Sequence, residues 1–197
     1  MNQIKISTRL GMLIAVLLVV LLAVGAVGLR GMQAANAGLQ TVYEDRTVPM
    51  GQLLDVQRLV LRNRGLIAHS IAVGTPEAIK ADVEQAKQNS AEINQVWQAY
   101  MATKLTHEEA KIAQAFEAAR AAYVSGFLKP AEEALLTGDL EAARRLLMEK
   151  DELLYAPVRK EITALTTLQL QVAKQEYEAA VSRYEVSRLL SWGIFLL

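Results

Sequence analysis

The chain has 197 residues, and its 21 lysines plus arginines balance 21 aspartates plus glutamates, so the formal net charge is zero. This balance removes the electrostatic argument for a nucleic-acid partner, which requires a basic surface. The absence of cysteine excludes disulfides and thiolate metal sites, and the two histidines offer few ligands for a transition metal. We therefore expect neither a metal nor a cofactor.

An apolar run near the N-terminus, residues 10–29, contains no charge and no proline. A helix of that length rises about 30 Å, which matches the hydrocarbon core of a bilayer. Lys5 and Arg9 precede the run and Arg30 follows it, so the positive-inside rule favours a cytoplasmic N-terminus and an exported remainder. The alternative is a cleaved secretory signal, whose apolar core would be shorter. We predict a cytoplasmic segment at 1–9 and a transmembrane helix at 10–30.

The first helix is predicted to continue from the membrane to about Val73. Pro49 lies inside it and predicts a kink near Val48 rather than an end, because proline removes one backbone hydrogen bond and disfavours the helical conformation of its predecessor. Beyond the proline, apolar residues recur at intervals of three, four and seven, which predicts one buried stripe. The stripe consists of Leu53, Val56, Val60, Ile67 and Ile71.

The boundary with the second helix is carried by three consecutive residues, Gly74, Thr75 and Pro76. Glycine is typical just past a helix end, threonine is a good N-cap, and proline is favoured in the first helical position. The second helix is predicted from Pro76 to Met101. Its buried stripe consists of Ile79, Val83, Ala86, Ile93, Val96 and Tyr100.

The start of the third helix carries a predicted capping box, in which Thr106 and Glu109 each bond the other's backbone N–H. This role explains the acidic residues beside His107 better than a metal site does. The helix is expected to run from His107 to about Thr137, with a kink at Pro130. The residues predicted to face inward are Ile112, Phe116, Ala119, Tyr123 and Leu135.

A break at Gly138 and Asp139 separates the third helix from a short helix predicted at Leu140–Met148. A long fourth helix is then expected from about Asp151 to the apolar C-terminal run. Its packed face is marked by Ile162, Leu165, Leu168 and Val172.

The apolar run at 189–197 is too short to span a bilayer, so we expect it to be the start of a second transmembrane helix that the sequence truncates, with Trp192 near the interface. Four helices with short connections can bury their stripes against one another and return both ends to the same membrane. We predict an all-α fold, an antiparallel up-down four-helix bundle at 31–188, continuous with the transmembrane helix and the start of the second.

Six segments stand in a recognisable order: 5–10 (KISTRL), 25–29 (GAVGL), 42–50 (VYEDRTVPM), 97–100 (WQAY), 105–109 (LTHEE) and 168–173 (LQLQVA). Together they resemble the N-terminal half of a bacterial methyl-accepting chemotaxis protein whose periplasmic sensor is a four-helix bundle related to the aspartate receptor. The resemblance implies a non-enzymatic homodimer in the bacterial inner membrane, with its sensor domain in the periplasm.

The resemblance also implies a small ligand bound at the membrane-distal end and a piston-like shift of the last helix. The coupling protein and kinase would be contacted by a cytoplasmic part that these 197 residues do not include. Two alternatives remain open: the sensor domain of a membrane histidine kinase or cyclase, and a module that recognises a periplasmic binding protein.

In the family, arginines of the first helix hold the ligand at the dimer seam, and the matching stretch here contains Arg58, Arg62 and Arg64. Arg58 and Arg62 share a face with His69, whereas Arg64 points about 120° away on ideal helix geometry. A guanidinium matches a carboxylate with two parallel hydrogen bonds, so a small carboxylate bridging two subunits fits this charge. The alternative is that these arginines form the solvated face of a long helix. His69 is expected to be a surface or seam residue rather than a metal ligand.

The start of the fourth helix is the other expected wall of the ligand site. Tyr155 and Arg159 are four residues apart and can project together, with Thr163 as a weaker hydroxyl group. Val158 stands where the resemblance leads us to expect a hydroxyl residue, which favours an organic acid of the citrate or malate type over an amino acid. Arg144 and Arg145 are expected to pair with acidic neighbours at the surface.

Overall fold

The computed structural model describes residues 5–195. These residues form four helices with short connections at 74–75, 102–106 and 137–139, and no strand occurs among them. Three of the helices contain a π-helical turn, in which the backbone hydrogen bonds skip one residue more than in an α-helix. Helix α1 comprises Ile6–Val42, the π turn Tyr43–Thr47 and Val48–Val73; α2 is Pro76–Met101; α3 comprises His107–Tyr123, the π turn Val124–Leu128 and Lys129–Leu136; α4 comprises Leu140–Leu146, the π turn Leu147–Asp151 and Glu152–Phe195. The predicted all-α four-helix bundle is confirmed.

The boundary between α1 and α2 is built as the sequence predicts. Gly74 has a φ of +68°, a left-handed conformation that favours glycine, and it follows directly on Val73. Thr75 accepts a hydrogen bond from the backbone N–H of Ala78, and Pro76 occupies the first turn of α2. The capping box at the start of α3 is also present, with both reciprocal hydrogen bonds formed.

The chain divides into two compact units, and helices α1 and α4 contribute to both. The unit at 44–172 contains the bundle and its hydrophobic core. Residues of the predicted stripes that are buried there include Leu53, Val56, Ile67, Val83, Ile93, Phe116, Tyr123, Leu135, Ile162 and Leu165. Val96, Ile112 and Ala119 pack against this core while remaining partly exposed.

The other unit, 1–43 together with 173–197, contains the apolar N-terminal part of α1. Over residues 5–195, one helix is long and apolar enough, by length and composition, to cross a membrane. Residues 189–195 continue α4, and residues 196 and 197 of the predicted second apolar segment lie outside the described residues.

The helices continue through Pro49 and Pro130, and each proline stands two residues after a π turn. A proline cannot donate the backbone bond of a regular turn and it crowds the carbonyl of the preceding turn. In the wider π turn the backbone hydrogen bonds are already rearranged, so the bond that the proline cannot form lies next to a region where the regular α-helical bonding is interrupted. At each of the two predicted kink sites, the structure therefore has a π turn that ends two residues before the proline.

The predicted break between a short helix and the fourth helix is wrong. Residues Leu140–Leu146 continue into α4 through the π turn Leu147–Asp151. Neither glycine nor proline occurs in this turn to stop the helix. The π turn of α3 approaches helix α4 closely at Leu154, just after the π turn of α4. Gly126 makes this approach possible because it has no side chain: a Cβ there would lie 2.7 Å from the Leu154 Cδ1 atom.

Candidate functional site

Arg64 ties helix α1 to the π turn of helix α4. Its Nε atom donates to both carboxylate oxygens of Asp151, at 2.9 and 3.0 Å, and its Nη2 atom donates to Asp151 and, at 3.1 Å, to Glu152. Asp151 is buried, whereas the Glu152 side chain is exposed. Burial alone would lower the pKa of Arg64, but the hydrogen bond and charge of Asp151 outweigh it and raise that pKa. Arg64 is therefore a fixed cation whose charge is already matched within the chain.

The aromatic ring of Tyr155 packs against the guanidinium group of Arg64 in this ion pair. The Arg64 guanidinium carbon lies 4.0 Å from the centre of the Tyr155 ring, within the range of a cation–π interaction. The Arg159 guanidinium lies 5.5 Å from the same ring and donates to Glu152 at 3.0 Å. Burial and the charge of Asp151 raise the pKa of the adjacent Tyr123, so its phenol stays protonated. The structure thus brings together Arg64, Tyr155 and Arg159 of the six predicted site residues.

The other three predicted residues lie apart from this cluster on exposed surface. Arg58 donates to Asp55 at 3.2 Å and has Glu92 at 3.9 Å. Arg62 is exposed and makes no hydrogen bond or ion pair within residues 5–195, and Thr163 is exposed as well. Of the three arginines in this part of α1, Arg62 is the one whose guanidinium is left open to a ligand.

A second polar cluster joins all four helices at the end of the bundle that carries the 102–106 connection. Glu109 is its centre: it accepts from the Tyr100 hydroxyl at 3.3 Å and from the Gln169 side-chain amide, and it lies 3.7 Å from Arg46. Its other carboxylate oxygen accepts from the backbone N–H of Thr106 at 2.9 Å. Burial and the charge of Glu109 raise the pKa of Tyr100, so this phenol remains a donor.

The sequence reading missed the wider role of Glu109 and the role of Asp151. The capping box identified Glu109 as a cap, but its burial depends on residues far away in the chain. The sequence predicts a helix start at Asp151, and the one local signal of its role is its position four residues before Tyr155, which places both on one face.

Of the remaining charged candidates, His69 and Arg144 have partners, whereas Arg145 is exposed and makes no hydrogen bond or ion pair within residues 5–195. His69 Nδ1 lies 2.7 Å from an Asp82 carboxylate oxygen that also accepts from the Ser70 hydroxyl at 2.9 Å. Arg144 donates to Glu141 at 2.6 Å, which confirms the predicted surface pair. Among the described residues, no group of three or more histidine, cysteine or acidic residues is arranged to hold a metal ion.

The comparisons with known proteins identify this helical bundle as a chemoreceptor ligand-binding domain. A family model described as the Tar ligand-binding domain homologue matches residues 1–173. The chain therefore belongs to this family.

Two chemotaxis receptors are similar to the chain over nearly its whole length. Methyl-accepting chemotaxis protein NahY of Pseudomonas putida is 29% identical over 205 residues, covering 100% of this chain and 37% of that protein. Methyl-accepting chemotaxis protein HlyB of Vibrio cholerae is 22% identical over 192 residues, covering 95% of this chain and 35% of that protein. The chain thus spans about a third of the length of these relatives.

Proposed function

We propose that the chain is the sensory part of an inner-membrane chemoreceptor whose periplasmic bundle binds a small carboxylate at the seam of a homodimer. The observation that carries this proposal is the exposed arginine surface of α1. Arg62 has no partner there within the described residues, and Arg58 lies one turn away on the same face. The family membership supports a ligand-binding role, and the free guanidinium indicates the charge of the ligand.

A stripe along α1 supports the homodimer. Its members are exposed in the single chain and recur at alternating spacings of three and four residues, which is the spacing of a helix-to-helix seam. The two leucines of the stripe, Leu54 and Leu61, are 49% and 45% exposed. The α1 stripe consists of Gly51, Leu54, Arg58, Leu61, Gly65, Ala68 and Ala72.

The geometry of such a seam also favours an anionic ligand. If two copies pack through the α1 stripe about a two-fold axis, the Arg62 side chain of one copy faces its counterpart, with Arg58 and its acidic partners Asp55 and Glu92 one turn away. The two Arg62 charges repel each other, and a di- or tricarboxylate would neutralise both at once. Each charged hydrogen bond contributes about 1.5–3 kcal/mol net, which is enough for a small acid to bind through a few of them. We favour an organic acid of the citrate or malate type.

Arg64, Tyr155 and Arg159 have a different role in this proposal. The Arg64 guanidinium is matched by Asp151 and Glu152, and it rests on Tyr155. These contacts join α1 to α4 close to the ligand-binding arginines. A ligand that shifts α1 would therefore act on α4 through this ion pair, and a ligand biases such a shift only by its difference in affinity for the two arrangements.

The test is a thermal-unfolding titration of the full chain in detergent with citrate, malate, succinate and aspartate. An acid present at a hundredfold excess over its dissociation constant adds about 2.7 kcal/mol, which is about 5–10 °C for a domain of this size. Arg62→Ala should abolish the shift, and Arg62→Lys should reduce it because the planar fork is lost. Arg145→Ala, at an exposed arginine of α4, is the control that should keep the shift. No shift with any acid, or a full shift in Arg62→Ala, contradicts the proposal.

The proposed helix shift has its own measurement. The native chain has no cysteine, so spin labels on Gln33→Cys and Tyr177→Cys are unique. A stabilising acid should change the distance between these labels by about 1–2 Å, the usual size of helix shifts in switching proteins. An unchanged distance at saturating ligand would contradict transmission through these helices.

A further inference from the structure

A groove lies between α1 and α4 within the unit formed by 1–43 and 173–197. Its volume is about 440 Å³. Two guanidinium groups line it, Arg30 from α1 and Arg183 from α4, together with the hydroxyl-bearing Ser182. Gly31 also lines the groove, and no atom lies within 4 Å of the place where a side chain there would begin.

The charge of this groove is unbalanced. Within the part of the chain that the structure describes, Arg30 and Arg183 make no hydrogen bond or ion pair. No acidic residue occurs in α1 between Arg30 and Tyr43. On α4, Glu185 follows Arg183 by two residues, which places it about 200° around the helix on the opposite side. Two cations therefore converge on one space without a counter-ion from this chain.

The walls of the groove change from apolar to basic along the helices. Val27 belongs to the apolar run 10–29 and lies one turn before Arg30, and Val186 lies one turn from Arg183 towards the apolar residues that begin at Leu189. Both valines are thus on the side of the apolar segments. The exposed aromatic side chain of Tyr184 lies at the level of Arg183, and the exposed Trp192 follows about two turns later within the apolar residues, as is typical of a membrane–water interface.

We propose that this groove binds the phosphate group of an anionic phospholipid, an inference that depends on the membrane span in the proposed function. Arg30 and Arg183 would hold the phosphate oxygens from both sides, because a guanidinium presents a planar fork that matches phosphate. The Ser182 hydroxyl can donate to the same group. An acyl chain would lie along Val27 and Val186, which gives this lipid an advantage over free phosphate. The bound lipid bridges α1 and α4.

The test is native mass spectrometry of the full chain in detergent with added phosphatidylglycerol or phosphatidylcholine. We expect at least one phosphatidylglycerol per chain to survive at lipid concentrations where phosphatidylcholine does not. Arg30→Gln and Arg183→Gln should each weaken phosphatidylglycerol binding about tenfold, since each removes a charged hydrogen bond. Arg188→Gln is the matched control, because Arg188 lies on the same helix outside the groove and contacts the Tyr184 ring.

Three results would overturn the lipid site: equal binding of the two lipids, undiminished phosphatidylglycerol binding in the Arg30→Gln, Arg183→Gln double variant, and displacement of the lipid by millimolar inorganic phosphate. The last result would assign the groove to free phosphate. The double variant should keep the unfolding midpoint of the bundle and its shift with organic acids. If the unfolding midpoint of the wild-type chain does not shift with any organic acid, that result counts against the proposed sensor function instead.

Discussion

Arg64 and Asp151, which are 87 residues apart in the sequence, form an ion pair in which one nitrogen of Arg64 reaches both carboxylate oxygens at 2.9 and 3.0 Å. Asp151 is 5% exposed, so its carboxylate is in contact with this partner rather than with bulk water. When one member of such a pair is removed, the other is left as an uncompensated charge in a poorly solvated place. The pair therefore fixes the position of α1 against the π turn of α4.

Asp151→Asn should destabilise the bundle by about 2–4 kcal/mol, slightly below the range for fully buried pairs because Arg64 remains partly exposed. Unfolding by urea in detergent, followed by the fluorescence of Trp97 in a Trp192→Phe background, measures the change. Glu152→Gln is the control: Glu152 is an exposed partner of the same arginine and should cost less than about 1 kcal/mol. Equal effects of the two substitutions would show that burial of Asp151 does not determine the strength of the pair.

Glu109→Ala should cost about 3–5 kcal/mol, because it removes the buried carboxylate that lies beside Arg46 and accepts from Tyr100, Gln169 and the backbone N–H of Thr106. Glu109→Gln should cost less, since an amide oxygen can still accept from the backbone N–H of Thr106. The exposed neighbour Glu108 supplies the control, and Glu108→Ala should change stability by less than about 0.5 kcal/mol. A small effect of Glu109→Ala would mean that the four-helix cluster does not stabilise the fold.

Glu132 gives the bundle a pH dependence. Burial raises the pKa of its carboxyl group, although the charges of Lys87 and Lys129 oppose the change. A carboxyl group with a raised pKa in the folded state contributes its full stability below its unfolded pKa, about 4.3, and loses that contribution as pH rises through the folded value. Glu132→Gln should therefore raise the melting temperature at pH 7 and have no effect near pH 3.5.

The control for this pH experiment is Glu133→Gln, at an exposed position one residue away. It should leave the melting temperature unchanged at both pH values. If Glu132→Gln destabilises the chain at pH 7, the carboxylate is stabilised by its lysine neighbours and the sign of the prediction is wrong.

Leu61→Glu should weaken self-association of the full chain by at least about tenfold, because it places a charge in the apolar part of the proposed seam. Sedimentation velocity in detergent over a range of concentrations measures this effect. Leu153→Glu is the matched control, since Leu153 is an exposed leucine of α4 outside the α1 stripe. A wild-type chain that stays monomeric, or a Leu61→Glu variant that still dimerises as well as the wild type, would contradict the proposed seam.

Local chemistry predicted most of the fold. Gly74 with its φ of +68°, the Thr75 cap and the reciprocal bonds of Thr106 and Glu109 all depend on residues within a few positions of one another. Hydrophobic periodicity predicted the buried stripes for the same reason. The π turns were missed because an additional residue in one turn leaves no mark in a pattern of apolar spacings. The continuity of α4 was missed because charged residues near Asp151 are typical of a helix start.

The candidate site was less predictable, because it depends on pairings between distant segments. The concentration of arginines in α1 was visible in the sequence, but which of them is free was not. Arg64 is matched by Asp151 of α4, whereas Arg62 has no partner within residues 5–195. Spacing along a single helix gives the direction of each side chain and does not reveal the charge on the helix packed against it.

The π turns have a consequence for how this family varies in length. Such a turn contains one residue more than an α-helical turn, so it absorbs a single inserted residue while the faces on either side keep their partners. Relatives in which one of these turns is a regular α-helix should be shorter by one residue there, with no other change in their buried positions. Alignment gaps of one residue near 43–47, 124–128 and 147–151 would then reflect the gain or loss of a π turn, while the packing of the bundle is kept.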